Sequence, residues 1–396
     1  MSLLAHDRAL PQRDVLLDAG AAGVVLARVL GQPFDGCAVA RVTYRVGQSL
    51  RVLYRLHACG RTHLVAARTF APGRDEEVYR AALDSATPTS PLAAVAWEPR
   101  LHTVLWTLPN ERRLPLSTGL PTPPGLTSEL VAYAPEKTAT VRWTDRDGRP
   151  VAFAKLYADD AGARCFRLLS TLAPGLPVAR ARSYDPAARR LAVEPARGRS
   201  LASLRTDRLG AAYAAFGAAL AMLHESPAAA PPFVRFEPER LRAATDSLAL
   251  VRPDAAGIAG ALVERLLQRR DASEDSVLLH GDTHAKNVLV DGAAATLIDL
   301  DQAARGDAAA DLGGVLAALR TAARVGAMPS RLETSTARAL LDGYARFRPL
   351  PAATTLRWHT AAALLVERAL RSVARVRPEQ LRRLPLLLAD AESLLR

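Results

Sequence analysis

One short stretch of this 396-residue chain concentrates side chains that could carry out chemistry. It reads HGDTHAKNVLVDGAAATLIDLD from His280 to Asp301 and holds four acids, two histidines and one asparagine. NVLV and TLID are typical of short apolar strands, and the Asp-Gly between them is a strong hairpin signal. The two ends of an antiparallel hairpin lie side by side, so Asn287 and Asp299 should meet there. Asp282 precedes Asn287 by five residues and reaches the same end.

Three interpretations of this end of the hairpin compete. In the first, Asp282 and Asp299 only cap turns, a role in which aspartates seldom come with an asparagine folded to the same point. In the second, His280, Asp282 and His284 bind a transition metal in a metallohydrolase, which needs further ligand motifs that the chain lacks. In the third, the oxygen ligands hold Mg²⁺ against nucleotide phosphates, and a distant strand supplies a lysine. Lys155 in VAFAKLYA, which alternates like a strand, meets that requirement.

The types, spacing and order of these residues resemble the aminoglycoside phosphotransferase and choline kinase-like family, within the protein-kinase-like fold. Its signature is an HGDxHxxNxL loop, an I-D-x-D motif and a later Asp-Leu, found here at 280–289, 298–301 and 311–312. The resemblance covers about residues 125–375, and the N-terminal third resembles the cap of maltokinase-like members. It implies an α+β, two-lobed fold, with a small β-rich lobe and a large helical lobe preceded by an N-terminal α+β cap.

The resemblance also implies a role for each matched residue. Asp282 is expected to be the catalytic aspartate, which accepts a hydrogen bond from the attacking hydroxyl and aims it at the γ-phosphate. Asn287 and Asp299 are the expected Mg²⁺ ligands, and Lys155 is expected to contact the nucleotide phosphates. His280 is expected to brace the loop.

Further contacts are expected around this centre. Asp311 is expected to tether the catalytic loop through backbone hydrogen bonds. The chain has only three lysines among 52 basic residues, which marks the other two as candidate phosphate contacts. The expected nucleotide contacts besides Lys155 are Lys137, the backbone from Glu194 to Ala196, and Lys286, for which a solvent-facing side chain is the open alternative. Asp301 is an expected acceptor contact, and His284 is expected either to contact the acceptor or only to pack the loop.

Three regions are predicted along the chain: a cap at 1–120, a small nucleotide-binding lobe at 121–200 and a helical catalytic lobe at 201–396. VTYRVGQSLRVLYRLHACGRTHLVAARTFA in the cap and LVAYAPEKTATVRWTDRDGRPVAFAKLYA in the small lobe each predict three strands and a following helix. Aligning them puts Arg68 opposite Lys155. Either the cap is a degenerate duplicate of the small lobe, or the two meanders are unrelated. Two roles for the cap are left open: a homodimer surface, or a lid over the acceptor.

Two features depart from the family pattern. No glutamate lies between Lys155 and Glu194, although kinase-like folds usually pair the strand lysine with a helix glutamate. Either a nearby aspartate, from Asp159, Asp160 and Asp185, replaces it, or phosphate alone positions the lysine. The loop APEKTAT contains no glycine, so the usual glycine-rich phosphate cradle is absent and Lys137 is the expected substitute.

Composition narrows the classes of partner. The net charge is +12, but the arginines are spread along the chain and aromatic residues make up only 5%, which disfavours nucleic-acid binding. Three scattered cysteines and the lack of a secretory signal favour a cytoplasmic protein. No apolar run approaches the roughly 18–20 residues that span a bilayer. A small-molecule partner is therefore expected.

These features together predict an O-phosphotransferase that depends on Mg²⁺ and transfers the γ-phosphate of ATP or GTP. The predicted acceptor is a hydroxyl of a sugar, an antibiotic or a related metabolite, with antibiotic resistance as one expected role. The arginine-rich C-terminal helices favour a neutral or anionic acceptor over a cationic aminoglycoside. The alternative is a degenerate kinase-like protein that binds nucleotide or a partner without phosphoryl transfer.

Overall fold

The computed structural model describes residues 3–116, 119–269 and 276–396. Two five-stranded antiparallel sheets come first, and a mainly helical region follows, which confirms the predicted α+β class. Within these ranges, every helix is too short or too polar to cross a bilayer.

The N-terminal unit is a sheet flanked by three helices. Asp18 caps the second helix by accepting a hydrogen bond from the Ala21 N–H, and Gly31 ends it in the left-handed conformation at φ 76°. The helices are α1 (Arg13–Leu17), α2 (Ala19–Leu30) and α3 (Arg74–Asp84). The strands are β1 (Gly36–Arg45), β2 (Ser49–Ala58), β3 (Arg61–Thr69), β4 (Val95–Glu98) and β5 (Thr103–Thr107), in the order β1-β2-β3-β5-β4.

The second unit repeats this arrangement, with one helix between its third and fourth strands. Its elements are β6 (Thr127–Ala134), β7 (Thr138–Thr144), β8 (Pro150–Tyr157), α4 (Ala161–Thr171), β9 (Ala181–Asp185) and β10 (Arg190–Val193). The strand order is β6-β7-β8-β10-β9, which is the order of the first sheet.

Arg68 and Lys155 occupy equivalent positions in the two sheets. Arg68 of β3 pairs with Val104, the second residue of β5, and Lys155 of β8 pairs with Leu191, the second residue of β10. Each cation also lies over the aromatic ring two residues further along, at 5.0 Å from the Phe70 centroid and 5.4 Å from the Tyr157 centroid. That the two units arose by duplication stays a prediction.

The remaining chain forms the helical region, and three short turns of 3₁₀ helix also occur among its described residues, 199–269 and 276–396. Its helices are α5 (Leu209–His224), α6 (Pro238–Val251), α7 (Pro253–Gln268), α8 (Ala308–Arg324), α9 (Ser330–Ala345), α10 (Ala353–Ala363), α11 (Arg371–Arg375), α12 (Pro378–Arg382) and α13 (Leu384–Ser393). A π-helical segment, Leu364–Leu370, joins α10 to α11. The strands are β11 (Arg199–Ser200), β12 (Val277–Leu279), β13 (Val288–Asp291), β14 (Ala294–Leu297) and β15 (Ala304–Gly306).

The N-terminal unit and the last helices share one hydrophobic core. Leu26 of α2 and Leu50 of β2 belong to the same buried cluster as Leu248 of α6, Leu365 of the π-helical segment and Leu388 of α13. The N-terminal unit is therefore anchored to the helical region by buried apolar surface, the main source of stability in folded proteins.

The proline-rich segment between the two sheets is also packed. Leu114 and Leu116 are buried in a cluster with Val141 and Leu156 of the second sheet and Leu53 of the first. The predicted boundary at 120 falls in this segment and the predicted boundary at 200 falls at the end of β11. The three-region division stays a prediction.

Candidate active site

The hairpin predicted from the Asp-Gly signal is present. β13 pairs with β14 so that Val288 lies opposite Leu297, and the Ile298 N–H donates to the Asn287 carbonyl at 2.9 Å. Asn287 and Asp299 therefore lie at the same end. Asp299 has a positive φ of 67°, which costs a non-glycine residue on the order of 1 kcal/mol and is typical of functional sites.

Lys155 reaches this end from the second sheet. Its Nζ lies 2.6 Å from Asp299 Oδ1 and 2.5 Å from Asp301 Oδ2, and the Tyr157 hydroxyl donates to Asp301 Oδ1 at 2.7 Å. Burial lowers the pKa of Lys155, but the two carboxylates raise it by more. Lys155 thus has carboxylate partners although the usual glutamate is absent. They come from the I-D-L-D motif, whereas Asp159 accepts from the Ala161 N–H.

Asp282 lies beside the hairpin end, held by its neighbours. The Asn287 Nδ2 donates to the Asp282 main-chain oxygen at 2.9 Å and to its Oδ2 at 3.1 Å. Burial raises the pKa of Asp282, but His284, Arg371 and Lys286 hold it below its usual range. The carboxylate is therefore ionised at neutral pH and can only accept hydrogen bonds.

His284 links the loop that carries Asp282 to the C-terminal helices. Its Nε2 lies 2.5 Å from Arg371 Nη1 and 3.2 Å from Asp282 Oδ1. Because a guanidinium can only donate, the contact with Arg371 requires Nε2 to accept, whereas a hydrogen bond to Asp282 Oδ1 requires Nε2 to donate. Burial lowers the pKa of His284, as do the charges of Arg368 and Arg371, although Asp282 opposes the shift. A contact between His284 and an acceptor stays a prediction.

The loop that carries Asp282 is tethered as expected. Asp311 accepts hydrogen bonds from the His280 N–H at 2.6 Å and the Gly281 N–H at 3.1 Å. His280 Nδ1 accepts from the Asp282 N–H at 3.2 Å, so its Nε2 carries the proton and donates to the Ile298 carbonyl at 3.0 Å. Both ring nitrogens of His280 are thereby engaged, which excludes it as a metal ligand and leaves the metallohydrolase interpretation without support.

Gly281 is required where the loop turns. Its φ is +81°, and a Cβ there would lie 2.0 Å from the Gln302 carbonyl oxygen. Only glycine fits this conformation and this close approach of backbone.

A buried charge network lies beneath the loop that carries Asp282, and the sequence did not predict it. Arg235 donates through Nη1 to Asp311 Oδ1 at 3.1 Å, through Nε to Glu367 Oε1 at 2.5 Å and through Nη2 to the Gly281 carbonyl at 2.7 Å. His224 lies 3.3 Å from Asp311 on the other side. Glu367 comes from the π-helical segment, a geometry often found at functional sites. No motif marked Arg235 or Glu367 in the sequence.

The network predicts a specific acid sensitivity. Burial raises the pKa of Asp311, but His224 and Arg235 together lower it to about 2. Because the folded-state pKa is depressed, this stabilisation is complete above the ordinary aspartate pKa of about 4 and is lost as the pH falls from 4 toward 2. We expect urea midpoints to fall over that window, and the fall to be smaller in Asp311→Asn. An equally steep fall in the variant would contradict the assignment.

Two of the other predicted nucleotide contacts, Lys137 and Lys286, lie within electrostatic reach of Asp282, and their contact with a nucleotide stays a prediction. Lys137 is exposed in the β6–β7 turn, and partial desolvation by the surrounding chain together with repulsion from Lys155 lowers its pKa. Lys286 is exposed and contributes to lowering the pKa of Asp282. The Glu194 N–H donates to the Arg180 carbonyl at 2.9 Å.

Asp301 was expected at the acceptor. Its contacts in the structure are with Lys155 and Tyr157, on the side of the second sheet. Burial raises the pKa of Asp301, as does its neighbour Asp299. A contact with an acceptor stays a prediction for this residue.

The donor set fits a hard cation. Among the described residues, no three of the types His, Cys, Asp and Glu are grouped as a metal site. The candidate ligands are the Asp299 carboxylate and the Asn287 side-chain oxygen, which is left to accept because Nδ2 donates to Asp282. Two protein oxygens suit Mg²⁺, which takes its other ligands from water and phosphate.

Comparisons with known proteins agree with this geometry. A family profile described as the phosphotransferase enzyme family matches residues 140–350. A thermostable mutant of aminoglycoside phosphotransferase APH(4)-Ia matches with a TM-score of 0.50 and 16% identity, over 68% of this chain and 94% of that chain. Amicoumacin kinase hAmiN matches with a TM-score of 0.50 and 16% identity, over 69% of this chain and 89% of that chain. No curated protein matches.

These structures share the fold of the chain, a β-rich lobe followed by a helical lobe, so the predicted kinase-like architecture is confirmed. The family match covers more than half of the chain and spans both Lys155 and the hairpin, whereas residues 1–139 lie outside it. The chain belongs to the phosphotransferase enzyme family.

Proposed function

We propose that the protein is a Mg²⁺-dependent kinase that transfers the γ-phosphate of ATP or GTP to a hydroxyl of a small molecule. The observation that carries this proposal is the convergence of Asp282, Asn287 and Asp299 at one hairpin end, with Lys155 joined to it from the other lobe at 2.6 Å. Phosphoryl transfer depends mainly on positioning and on neutralising charge, and these four side chains supply both.

Each side chain has a distinct role in the proposal. Lys155 pairs with the nucleotide phosphates, and Asn287 and Asp299 hold Mg²⁺, which supplies positive charge to neutralise the phosphates. Asp282 accepts a hydrogen bond from the acceptor hydroxyl, and Asn287 fixes its orientation from 3.1 Å. The similar structure of amicoumacin kinase hAmiN is a complex with AMP-PNP, Ca²⁺ and Ami, which supports a nucleotide and a divalent cation in this fold.

The segment between β10 and β11 suits the base of the nucleotide. Because the Glu194 N–H already donates to Arg180, the groups left for a ligand are the Glu194 carbonyl and the Ala196 N–H. In the described chain, neither group takes part in a backbone hydrogen bond. An adjacent acceptor and donor of this kind can pair with one edge of a purine.

The alternative, a kinase-like protein that binds nucleotide or a partner without phosphoryl transfer, has less support than the kinase proposal. This alternative rests on two departures from the family pattern, the missing glutamate partner of Lys155 and the missing glycine-rich loop. Asp299 and Asp301 lie within ion-pair distance of Lys155, which weakens the first of them. A protein that only bound nucleotide would also have no use for an oriented carboxylate such as Asp282.

The test is transfer to a panel of acceptors. The protein is incubated with Mg-ATP or Mg-GTP and with sugars, sugar acids, sugar phosphates, nucleosides, choline, aminoglycosides and other antibiotics, and products are detected by mass spectrometry. We expect a phosphorylated product that EDTA abolishes. Absence of both a product and a nucleotide-induced rise in melting temperature would overturn the proposal.

The N-terminal unit holds the turn that carries Lys137. Glu136 in this turn is buried and has a positive φ of 57°. Its carboxylate pairs with Arg68, with Arg51 at 3.5 Å and with Arg112 at 3.4 Å. The glycine-free turn is thus fixed from outside its own lobe, and Arg68, the counterpart of Lys155, is one of the residues that fix it.

Glu136→Gln is therefore expected to raise the KM for nucleotide about three- to tenfold with little change in acceptor KM. The substitution leaves three arginines without their shared carboxylate, and losing one partner of a buried charge pair costs about 2–5 kcal/mol. Glu129→Gln is the matched control, because Glu129 pairs with Arg142 within the same exposed hairpin. Equal nucleotide KM values in the two variants would contradict the proposed role of the N-terminal unit.

A further inference from the structure

Four arginines gather where α11 packs against β1 of the N-terminal unit. This arginine cluster consists of Arg41 on β1, Arg371 and Arg375 on α11, and Arg377 just beyond it. Burial lowers the pKa of Arg375 to about 10, and repulsion from the other three adds to the effect. Burial also lowers the pKa of Arg41, as does repulsion from Arg371 and Arg377. The four side chains therefore lie within reach of one another's charge.

The cluster is held in place by neutral groups. Arg375 Nη1 donates to the Val42 carbonyl and to Thr43 Oγ1, both at 2.8 Å. In the described parts of the chain, no carboxylate forms an ion pair with Arg41, Arg375 or Arg377. Among the described residues, the cluster has a carboxylate within ion-pair distance only at Arg371, which lies 3.8 Å from Asp282. Gathering cations with so little counter-charge is unfavourable, and an anion from outside the chain relieves it.

The cluster borders the catalytic aspartate. Arg371 Nη1 lies 3.8 Å from Asp282 Oδ1 and donates to His284 Nε2 at 2.5 Å. Burial lowers the pKa of Lys137, and repulsion from Lys155, Arg375 and Arg41 adds to the effect, so the cluster lies on the same side of the molecule as Lys137 and Lys155. An anion bound by these arginines would lie within about one small molecule's length of the hydroxyl that Asp282 orients.

We propose that the acceptor carries a carboxylate or a phosphate besides its reacting hydroxyl, and that the arginine cluster binds this anionic group. The proposal rests on the proposed function and narrows it to anionic acceptors. Guanidinium groups present a planar fork of donors that matches carboxylate and phosphate oxygens, and such charge-assisted bonds are stronger than neutral ones. A polycationic acceptor would be repelled by the same four charges.

Steady-state kinetics on matched acceptors test the proposal. Hexoses are compared with the corresponding hexuronic acids and hexose monophosphates, using the wild-type protein, Arg41→Ala, Arg377→Ala and the control Arg45→Ala. Arg45 is an exposed residue on the same strand as Arg41. We expect the wild type to prefer an anionic acceptor at least tenfold in kcat/KM. Arg41→Ala and Arg377→Ala should each raise the KM for the anionic acceptor about tenfold and leave kcat and the nucleotide KM unchanged. Arg45→Ala should have the same kinetic constants as the wild type.

A binding measurement separates this proposal from the proposed kinase activity. Calorimetry with inorganic phosphate and acetate is performed on protein saturated with Mg²⁺ and a non-hydrolysable ATP analogue, so that the nucleotide site is filled. Binding to the wild type that Arg377→Ala weakens supports the anion site even if no hydroxyl is phosphorylated, in which case the kinase activity alone fails. Three results overturn the anion site: no anion binding to the wild type, equal use of neutral or cationic acceptors, or a rise in nucleotide KM alone in Arg41→Ala and Arg377→Ala.

Discussion

Replacing Asp282 with asparagine is expected to lower the kcat of phosphoryl transfer about 10²–10⁴-fold, the range in which a positioned acid or base contributes to catalysis. The carboxamide keeps the size of the side chain but loses the negative charge that orients the acceptor hydroxyl. Nucleotide affinity should change little, because Lys155, Asn287 and Asp299 remain. The measurement is kcat with the best acceptor from the panel, together with the nucleotide dissociation constant by calorimetry.

Asp291→Asn is the matched control for this experiment. Asp291 is exposed in the turn at the opposite end of the same hairpin, so it undergoes the same chemical change away from the site. A kcat in Asp282→Asn within a factor of two of that in Asp291→Asn would remove Asp282 from catalysis. Loss of nucleotide binding in Asp282→Asn would instead show that the residue supports the site as a whole.

The largest effect on stability is expected from Arg235→Met, which should lower the free energy of unfolding by about 3–5 kcal/mol. Methionine fills much of the same volume but leaves Asp311 and Glu367 buried without their shared cation. The energy is lost because removing one partner of a buried ion pair exposes the other to the full cost of desolvation. Urea unfolding followed by circular dichroism measures the change.

Two further variants accompany Arg235→Met in this measurement, one as a control and one as a partial rescue. Arg242→Met, on the exposed face of α6, is the control and should change stability by less than about 0.5 kcal/mol. Adding Glu367→Gln to Arg235→Met should recover part of the loss, because a neutral amide is cheaper to bury than an unpaired carboxylate. A loss below about 1 kcal/mol in Arg235→Met would show that the network adds little stability.

The centre of the site could be predicted because its residues are close together in the sequence. Asp282, Asn287 and Asp299 fall within 18 consecutive residues, and the Asp-Gly turn between the two strands determines which ends meet. Hairpin pairing is a local rule, so spacing alone brings the carboxylates and the amide to one point. Lys155 was found by a weaker signal, the alternation of its strand and the scarcity of lysine.

The supporting residues could not be predicted, because they meet only through the tertiary fold. Arg235 is 76 residues from Asp311 and 132 residues from Glu367 in the chain. The chain has 52 basic residues, nearly all of them arginine, so no single arginine stands out by type. The partners of Lys155 were missed for a related reason. The expected partners, Asp159, Asp160 and Asp185, all follow Lys155 closely in the chain, whereas Asp301 lies 146 residues away.

The N-terminal unit was predicted in part. Its strands follow from alternation, and aligning the two segments places Arg68 opposite Lys155, as the register of the two sheets also does. Its packing partner could not be inferred, because an amphipathic pattern shows that a face is buried without showing what covers it. In the structure, the C-terminal helices cover the buried face of the N-terminal unit.

The core that joins the N-terminal unit to those helices has a consequence for the order of folding. Leu10 and Leu26 pack in one cluster with Leu384 and Leu388, so contacts that complete the first unit span almost the whole length of the chain. Closing such long loops is slow, and an emerging chain would keep this apolar surface exposed until the last helices were synthesised. Removing α13 should therefore impair the first unit before it affects the hairpin, and the full-length chain should depend on chaperones during synthesis.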